Sequence, residues 1–479
     1  PDVSMIFGAM RYAYCTLQNQ MPNTLADWLT YLESLHPKTI ALGLERVAQV
    51  KQRLNLQPDF PIIVVGGTNG KGSVCAMLEF ILHAAGYRVG CYTSPHLLHY
   101  NERVRIAKRA VSDAELCASF EQIELARKPQ EQKLDSRLHP QGAGRGCKTA
   151  EAVTTTHRGN DGFLEIPLTY FEFGTLAAMQ CFINHKVDVA ILEVGLGGRL
   201  DAVNVFDNDC AVIASVDIDH TDYLGDTREK IAFEKAGIMR SGTVAICADS
   251  DVPQAIRTQA QQIGAELWCI GREFSFTPHQ GQWDYRSNVG TRSSLPYPAL
   301  RGAFQLNNAS AALAVLDVLK EKLPVNMGDV RRGLGEVQLA GRFQFVPGKP
   351  TLILDVAHNP HAARSLAQNL ASLPPCPNTY AVFAMLKDKD IAGVVAALDP
   401  HIDTWLVTGI DTPRGASAGH LEQVLQQCRV RGEIINCGNI PEALRYAYNA
   451  AGENDRIIAF GSFYTVAEVM AARGLSVTE

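Results

Sequence analysis

Pro61-Ile-Ile-Val-Val-Gly-Gly-Thr-Asn-Gly-Lys-Gly-Ser73 carries the strongest chemical signal in the chain. A β-branched apolar run gives way to glycines, one lysine and one hydroxyl, and a helical pattern follows at once. Glycines let backbone N–H groups converge on an anion, and a helix starting there adds its positive end. The ligand implied is a nucleoside triphosphate, with Lys71 neutralising β/γ-phosphate charge and Ser73 touching phosphate or Mg2+. The spacing departs from Gly-x-x-x-x-Gly-Lys-[Ser/Thr]: Val65 stands where the first glycine belongs, and Gly72 separates Lys71 from Ser73.

Other charged groups fall where strands should end. Glu193 closes the apolar run Val187–Val194, the carboxyl edge at which open α/β sheets bind ligands. A carboxylate there suits Mg2+, which prefers oxygen ligands. The glycines of Gly195-Leu-Gly-Gly-Arg-Leu-Asp-Ala202 suggest a second loop that closes over a substrate. Asp217-Ile-Asp-His-Thr-Asp222 follows the next strand and reads as a metal or catalytic patch, although a lone His220 could equally cap a helix. Further on, Asp355-Val-Ala-His-Asn-Pro360 again follows an apolar strand, with Arg342 shortly before it. Such groups could clamp a nucleotide from a second domain.

The elements that must position these groups alternate strand and helix. After the loop, Val74, Met77, Leu78, Ile81, Leu82 and Ala85 repeat at helical spacing, Gly86 stops the helix, and Tyr87–Thr93 reads as the next strand. Runs at 187–194, 210–216, 351–356, 379–385, 404–408 and 456–460 read as buried parallel strands. The expected fold class is α/β: a P-loop-type ATPase domain with a mostly parallel sheet, plus a smaller Rossmann-like C-terminal domain. The expected boundaries are a disordered extension over 1–20, a first domain over 21–297 and a second over 298–479. The alternating prolines of Leu295-Pro-Tyr-Pro-Ala-Leu300 read as the linker, and 128–162 as a flexible, turn-rich insertion.

With 479 residues, two domains are expected. Hydrophobic content of 46% and charged content of 20% fit a globular enzyme, and a net charge of −6 argues against a nucleic-acid partner. The 12 cysteines include no Cys-x-x-Cys pair, which excludes the usual zinc pattern and fits a reducing cytoplasm. No apolar run reaches transmembrane length, so no membrane partner is expected, and no basic segment precedes Met5–Met10 to make a signal peptide.

Gly67-Thr-Asn-Gly-Lys-Gly-Ser73, Thr93-Ser-Pro-His96, Leu192–Ala202, Asp219-His-Thr-Asp222, Glu234-Lys-Ala-Gly-Ile238, Gly341-Arg342 and Asp355–Pro360 occur in this order. The ordered set resembles the folylpolyglutamate synthases, more closely their bacterial bifunctional form that is also dihydrofolate synthase, within the Mur ligase superfamily. The resemblance runs from about residue 25 to the C-terminus, apart from the insertion. It implies an ATP-dependent amide ligase: ATP phosphorylates a carboxylate of dihydropteroate or a reduced folate, and the amine of L-glutamate displaces phosphate.

The resemblance also implies residue roles. Thr68, Asn69, Gly70, Lys71, Gly72 and Ser73 would hold ATP, with Asn308, Arg342, Asp355 and His358 reaching the nucleotide from the second domain. Ser94, Glu193, His220 and Lys235, the last as a carbamate, would serve Mg2+, with two ions envisaged. Lys71, Glu193, His220 and Lys235 would be catalytic. Leu42, Gly43, Leu44, then Thr169, Tyr170, Phe171, Glu172, Phe173, Gly174, Thr175 and Leu176, then Leu200, Asp201 and Ala202 would line the pterin side. Phe171 and Phe173 are offered as flat partners for the ring, although aromatics at this spacing also suit a core. A monomer is implied. Two other readings stand beside this one: a Mur-type ligase acting on a UDP-muramoyl acceptor, and a non-catalytic ATP-binding module.

Overall fold

The computed structural model describes residues 21–36, 40–128, 165–302 and 304–477. The expected N-terminal extension over 1–20 and nearly all of the expected insertion lie outside the described residues.

The first sheet is built from β1 (Ile62–Gly66), β2 (Val89–Tyr92), β3 (Val104–Ile106), β4 (Arg109–Ala110), β5 (Val189–Glu193), β6 (Cys210–Ile213), β7 (Val244–Cys247) and β8 (Glu266–Cys269). Its order is β4-β3-β2-β5-β1-β6-β7-β8. The six strands from β2 to β8 along that order run parallel, and β3 and β4 add an antiparallel edge. β1 lies in the middle and shows why its sequence is unbroken by polar residues. Ile62 and Val64 enter the core on one face, while Ile63 and Val65 enter the core on the other. A strand buried on both faces cannot alternate apolar with polar.

One face is covered by helices that include Asp113–Arg127 and Tyr170–Asn184. Both begin in capping boxes, Ser112 with Glu115 and Thr169 with Glu172, which satisfy N–H groups that the first turn leaves without partners. The other face takes the helices Lys71–Ala84, Gln305–Val318 and Met327–Glu336. Beside them lies an antiparallel sheet of β9 (Phe274–Pro278), β10 (Gln282–Ser287) and β11 (Thr291–Pro296), whose Trp283, Tyr285 and Leu295 join the same core.

This packing corrects the expected boundary at 297/298. Pro296 is the last residue of β11, and Leu295 and Leu300 are buried in the first core rather than in a free linker. Helix Gln305–Val318 is packed into that core from Leu306 to Leu316, so the first unit continues to Val337. Asn308, expected from the second domain, therefore belongs to the first.

The second sheet contains β12 (Gln344–Val346), β13 (Thr351–Leu354), β14 (Thr379–Phe383), β15 (Thr404–Val407), β16 (Glu433–Asn436) and β17 (Arg456–Phe460), in the order β12-β13-β17-β14-β15-β16. All neighbours are parallel except β12 with β13. Ile353 and Ile458 face one core and Leu352 and Ile457 the other, giving the same two-sided burial as the first sheet.

Candidate active site

The carboxyl ends of β1, β5 and β6 face the carboxyl end of β13 across a cleft of about 580 Å³ between the two units. Sequence reasoning placed ten nucleotide residues and four metal residues. The fold brings every one of them to this cleft: Thr68 to Ser73, Ser94, Glu193, His220, Lys235, Asn308, Arg342, Asp355 and His358.

The glycine-rich loop is shaped by its own backbone. Gly67 and Gly70 have φ of 146° and 85°, a region that side chains with Cβ disfavour. A Cβ on Gly70 would stand 2.6 Å from Asn308 Oδ1. Helix Lys71–Ala84 has Gly70 as its N-cap and no side-chain cap, unlike the helices that open at Ser112 and Thr169. Its first intrahelical bond is Val74 N–H to Gly70 carbonyl at 3.0 Å. The N–H groups of Lys71 to Ser73 thus have no carbonyl one turn back and point outward, the arrangement that receives a phosphate. Lys71 Nζ lies over the loop, donating to the Gly67 and Thr68 carbonyls at 3.0 and 3.2 Å. The side chain of Thr68 is engaged structurally: Oγ1 donates to the Asp217 carbonyl and accepts from Asp217 N–H, both at 3.0 Å. That pins the loop to the segment after β6.

Glu193 ends β5 at 5% exposure, with Ser94 N–H donating to Oε2 at 3.0 Å. Burial pushes its pKa up, and the charges of Lys71 and Arg342, with the Ser94 bond, oppose that rise. Lys235 is 3% exposed on helix Arg228–Ala236. Burial, reinforced by Lys71, lowers its pKa to about 7, so a large fraction of the amine is neutral near pH 7. The loop Gly195–Ala202 clamps onto that helix. Arg199 N–H donates to the Glu234 carbonyl at 2.8 Å, and a Cβ on Gly198 would stand 3.0 Å from the same oxygen.

His220 is brought to the cleft in a left-handed conformation, φ 52°, and burial lowers its pKa to about 4. It is therefore a neutral imidazole with a lone pair to offer. The neighbouring acids do not form a cage around it. Asp219 pairs with Lys389 at 2.7 Å and accepts from Asn359 Nδ2 at 3.0 Å, while Asp217 pairs with Arg364 at 2.9 Å. Among the described residues no three His, Cys, Asp or Glu side chains converge on one point. The Asp217–Asp222 patch is thus mainly an interface between the two units. Asn69 strengthens it through Nδ2, 2.8 Å from His361 Nδ1.

On the far wall, Asp355 accepts from Phe343 and Ala357 N–H groups, both at 2.8 Å, and burial raises its pKa to about 6 against the pull of Arg342. Arg342 is attracted to both Asp355 and Glu193, one acid from each unit. His358 donates from Nδ1 to the Val356 carbonyl at 2.8 Å, leaving Nε2 facing Asp219 at 4.0 Å.

None of the residues expected on the pterin side lines this cleft. Thr169 and Glu172 form a buried capping box, and Glu172 also pairs with Arg46 at 2.8 Å. Phe173, expected as a ring partner, is fully buried against Trp28 and Phe120. Gly174, Thr175, Leu176 and Ala202 are buried too, and Asp201 is a buried cap that accepts from Leu196 and Val203 N–H groups. The half-buried members are Leu42, Gly43, Leu44, Tyr170, Phe171 and Leu200. Of these, Gly43 N–H bonds the Leu200 carbonyl at 3.3 Å, and Phe171 packs on Gly195 beside the cleft.

Sequence reasoning missed Lys389, Arg103 and the buried pair Glu79–Arg105. The charged run Lys387-Asp-Lys-Asp390 shortly after β14 was a usable signal, since it repeats the pattern of charge beyond a strand end. Arg105 forks onto Glu79 at 2.8 Å and donates to Thr93 Oγ1 at 3.0 Å, tying the phosphate-loop helix to the Ser94 segment.

Comparison with known proteins agrees with this geometry. Residues 147–316 match the Mur ligase middle domain, and residues 341–463 match the Mur ligase glutamate ligase domain. The dihydrofolate synthase/folylpolyglutamate synthase of Escherichia coli K12 is 41% identical over 452 residues, covering 94% of this chain and 96% of that protein. The chain belongs to the dihydrofolate synthase/folylpolyglutamate synthase family. It is an ATP-dependent ligase of that family. The Mycobacterium tuberculosis family member is 32% identical over 400 residues, covering 80% of this chain and 77% of its own length. Among solved structures, E. coli FolC in complex with DHPP and ADP aligns with a TM-score of 0.82 at 41% identity, covering 95% of this chain and 99% of that one. A bifunctional family member with Mn, AMPPNP and L-glutamate bound gives 0.81 at 44% identity, covering 95% and 100%.

Proposed function

We propose that the cleft joins L-glutamate to the carboxylate of dihydropteroate and of reduced folates, at the expense of ATP, through an acyl phosphate. The observation that carries this reading is the convergence of an uncapped helix N-terminus, Lys71 and buried Glu193 from one unit with Arg342 and Asp355 from the other. A carboxylate is a poor electrophile until one of its oxygens becomes a leaving group. Phosphoryl transfer to it needs charge neutralisation and alignment more than protein nucleophiles.

The N–H groups of Lys71 to Ser73 hold the β- and γ-phosphates, and Lys71 swings from the loop carbonyls to the transferred group. Asn308, Arg342 and Asp355 fix the rest of the nucleotide. Arg342 offsets negative charge near Glu193 as the acceptor carboxylate approaches. His358 and Lys389 line the same cleft from the second unit. Neutral His220 and buried Glu193 fit a divalent cation, with Ser94 as a further oxygen donor. Lys235 fits only as its carbamate, since an ammonium would oppose the ion and a neutral amine is what adds CO2. One or two divalent cations held there would neutralise phosphate charge during transfer.

The half-buried Leu42–Leu44, Phe171 and Leu200 support a pterin position beside the cleft. The nucleotide and metal candidates of this one chain converge in a single cleft, which suits small-molecule substrates and a monomeric enzyme. The net charge of −6 supports the absence of a nucleic-acid partner, and the free cysteines support a cytoplasmic setting. No described helix is long and apolar enough to cross a membrane.

The test is ATP-dependent incorporation of labelled L-glutamate, assayed separately with dihydropteroate and tetrahydrofolate. Both acceptors should yield product, and Glu193→Gln should lower kcat by at least about 100-fold. No product with either acceptor would refute the assignment, as would turnover of a UDP-muramoyl acceptor in place of pterins.

A further inference from the structure

Arg103 occupies an unusual position in the cleft. Its guanidinium is half-buried, yet among the described residues it has no ion-pair partner. Nε donates to His96 Nδ1 at 2.9 Å, and this is the one hydrogen bond described for its side chain. The guanidinium carbon lies 5.3 Å from the ring centre of Tyr100 and 5.5 Å from that of Tyr170. The two rings meet edge to face at 5.8 Å. Stacking and the Nε bond together fix the plane, and both terminal amino groups are left to donate.

The adjacent acid does not quench this charge. Glu102 is spent on the loop itself, accepting from the N–H groups of Leu97, Leu98 and His99 at 2.7, 2.7 and 2.6 Å. Thr93 N–H bonds the Arg103 carbonyl at 2.9 Å, so the segment from Ser94 to Arg103 is closed at both ends. A rigid guanidinium fork with free donors, partly removed from water, matches a carboxylate. The phosphate loop already answers for the triphosphate, and Arg342 for the acids near it. The Tyr170 ring places Arg103 on the acceptor side, at the start of helix Tyr170–Asn184.

The two proposed acceptors differ at just this point. Dihydropteroate has one carboxylate, and the reaction consumes it. A folate ends in glutamate, so when one carboxylate is activated the other remains anionic and must be accommodated. We propose that Arg103 is the specificity-determining residue that binds the non-reacting carboxylate of a folate's terminal glutamate. It thereby favours chain extension relative to the first glutamate addition. This rests on the acceptor assignment above.

The experiment compares wild type, Arg103→Met and Arg103→Lys in the full-length enzyme, with dihydropteroate and with tetrahydrofolate as acceptors. Thermal melts establish that each variant is folded, and Arg103→Lys keeps the charge while removing the fork. The expected result is a rise in KM for tetrahydrofolate that exceeds any change with dihydropteroate by about 10- to 100-fold in Arg103→Met, with partial recovery in Arg103→Lys. Equal losses with both acceptors would show that Arg103 serves the reacting carboxylate and overturn the proposal. A rise in KM for L-glutamate with both acceptors would assign it to the amine donor, and no change with either would remove it from the site. Absence of ligation in the wild type would instead refute the acceptor assignment itself.

Discussion

The ion pair between Lys389 and Asp219 is the best single handle on how the two units meet. Lys389 follows β14 of the second sheet, and Asp219 follows β6 of the first. Nζ stands 2.7 Å from Oδ1, with side-chain exposures of 7% and 11%. Burial alone would raise the Asp219 carboxyl, yet the Lys389 ammonium bonded to it helps hold it well below the usual carboxylate range. Replacing Lys389 by Met would leave Asp219 buried with two neutral donors, Asn359 Nδ2 at 3.0 Å and the His220 N–H at 2.8 Å. Removing one partner of a buried pair costs about 3–5 kcal/mol. The two remaining donors and residual solvent access reduce that here to roughly 2–3 kcal/mol, a factor of about 30–150 in an equilibrium constant. If only the docked arrangement completes the site, kcat/KM should fall by a similar factor while the melting of the separate cores changes little. A double-mutant cycle with Asp219→Asn isolates the contact. A coupling energy of at least about 1.5 kcal/mol in kcat/KM is expected. Additive losses, within about 0.5 kcal/mol, would refute the claim that this pair holds the units together.

Three further outcomes follow from the geometry. Gly70→Ala forces a Cβ into a left-handed residue and to 2.6 Å from Asn308 Oδ1, so KM for ATP should rise at least about tenfold; an unchanged value would show that the loop tolerates another shape. Burial raises the Asp201 pKa to about 7, above its ordinary value near 4, so the native state holds this proton longer than the unfolded one. Stability should therefore fall as pH rises from about 4 to 7, by on the order of 4 kcal/mol from this residue. Asp201→Asn should flatten that part of a denaturant-measured profile. Lys235→Ala should lose at least about 100-fold in rate and recover part of it with a short exogenous carboxylate such as acetate; full activity without acetate would remove Lys235 from the mechanism.

Much of the site was legible because its residues sit at strand ends, where local pattern and function coincide. Ile62–Val65, Gly70 and Lys71 announce a strand, a turn and a phosphate in thirteen consecutive residues. Glu193 is conspicuous as an acid ending an apolar run. What was illegible depended on partners distant in sequence. Lys389 acquires meaning only from Asp219, 170 residues away, and Arg103 only from Tyr170. The proline-rich segment misled because Pro296 sits at the end of an antiparallel strand, where the missing N–H costs nothing. Phe171 and Phe173 differ in their surroundings although only one residue separates them. Tyr92 and Gly195 neighbour the first, while Trp28 and Phe120 enclose the second, and nothing local distinguishes them.

If ATP activates a carboxylate in this cleft, an oxygen-tracing experiment will show the atom transferred. Dihydropteroate labelled with 18O in both carboxylate oxygens is turned over with ATP and L-glutamate, and the inorganic phosphate is analysed by mass. Attack of the carboxylate on the γ-phosphate, followed by displacement by the amine, transfers one labelled oxygen into each phosphate released and leaves the other in the amide. One labelled oxygen per phosphate is expected. Unlabelled phosphate accompanying amide formation would contradict it.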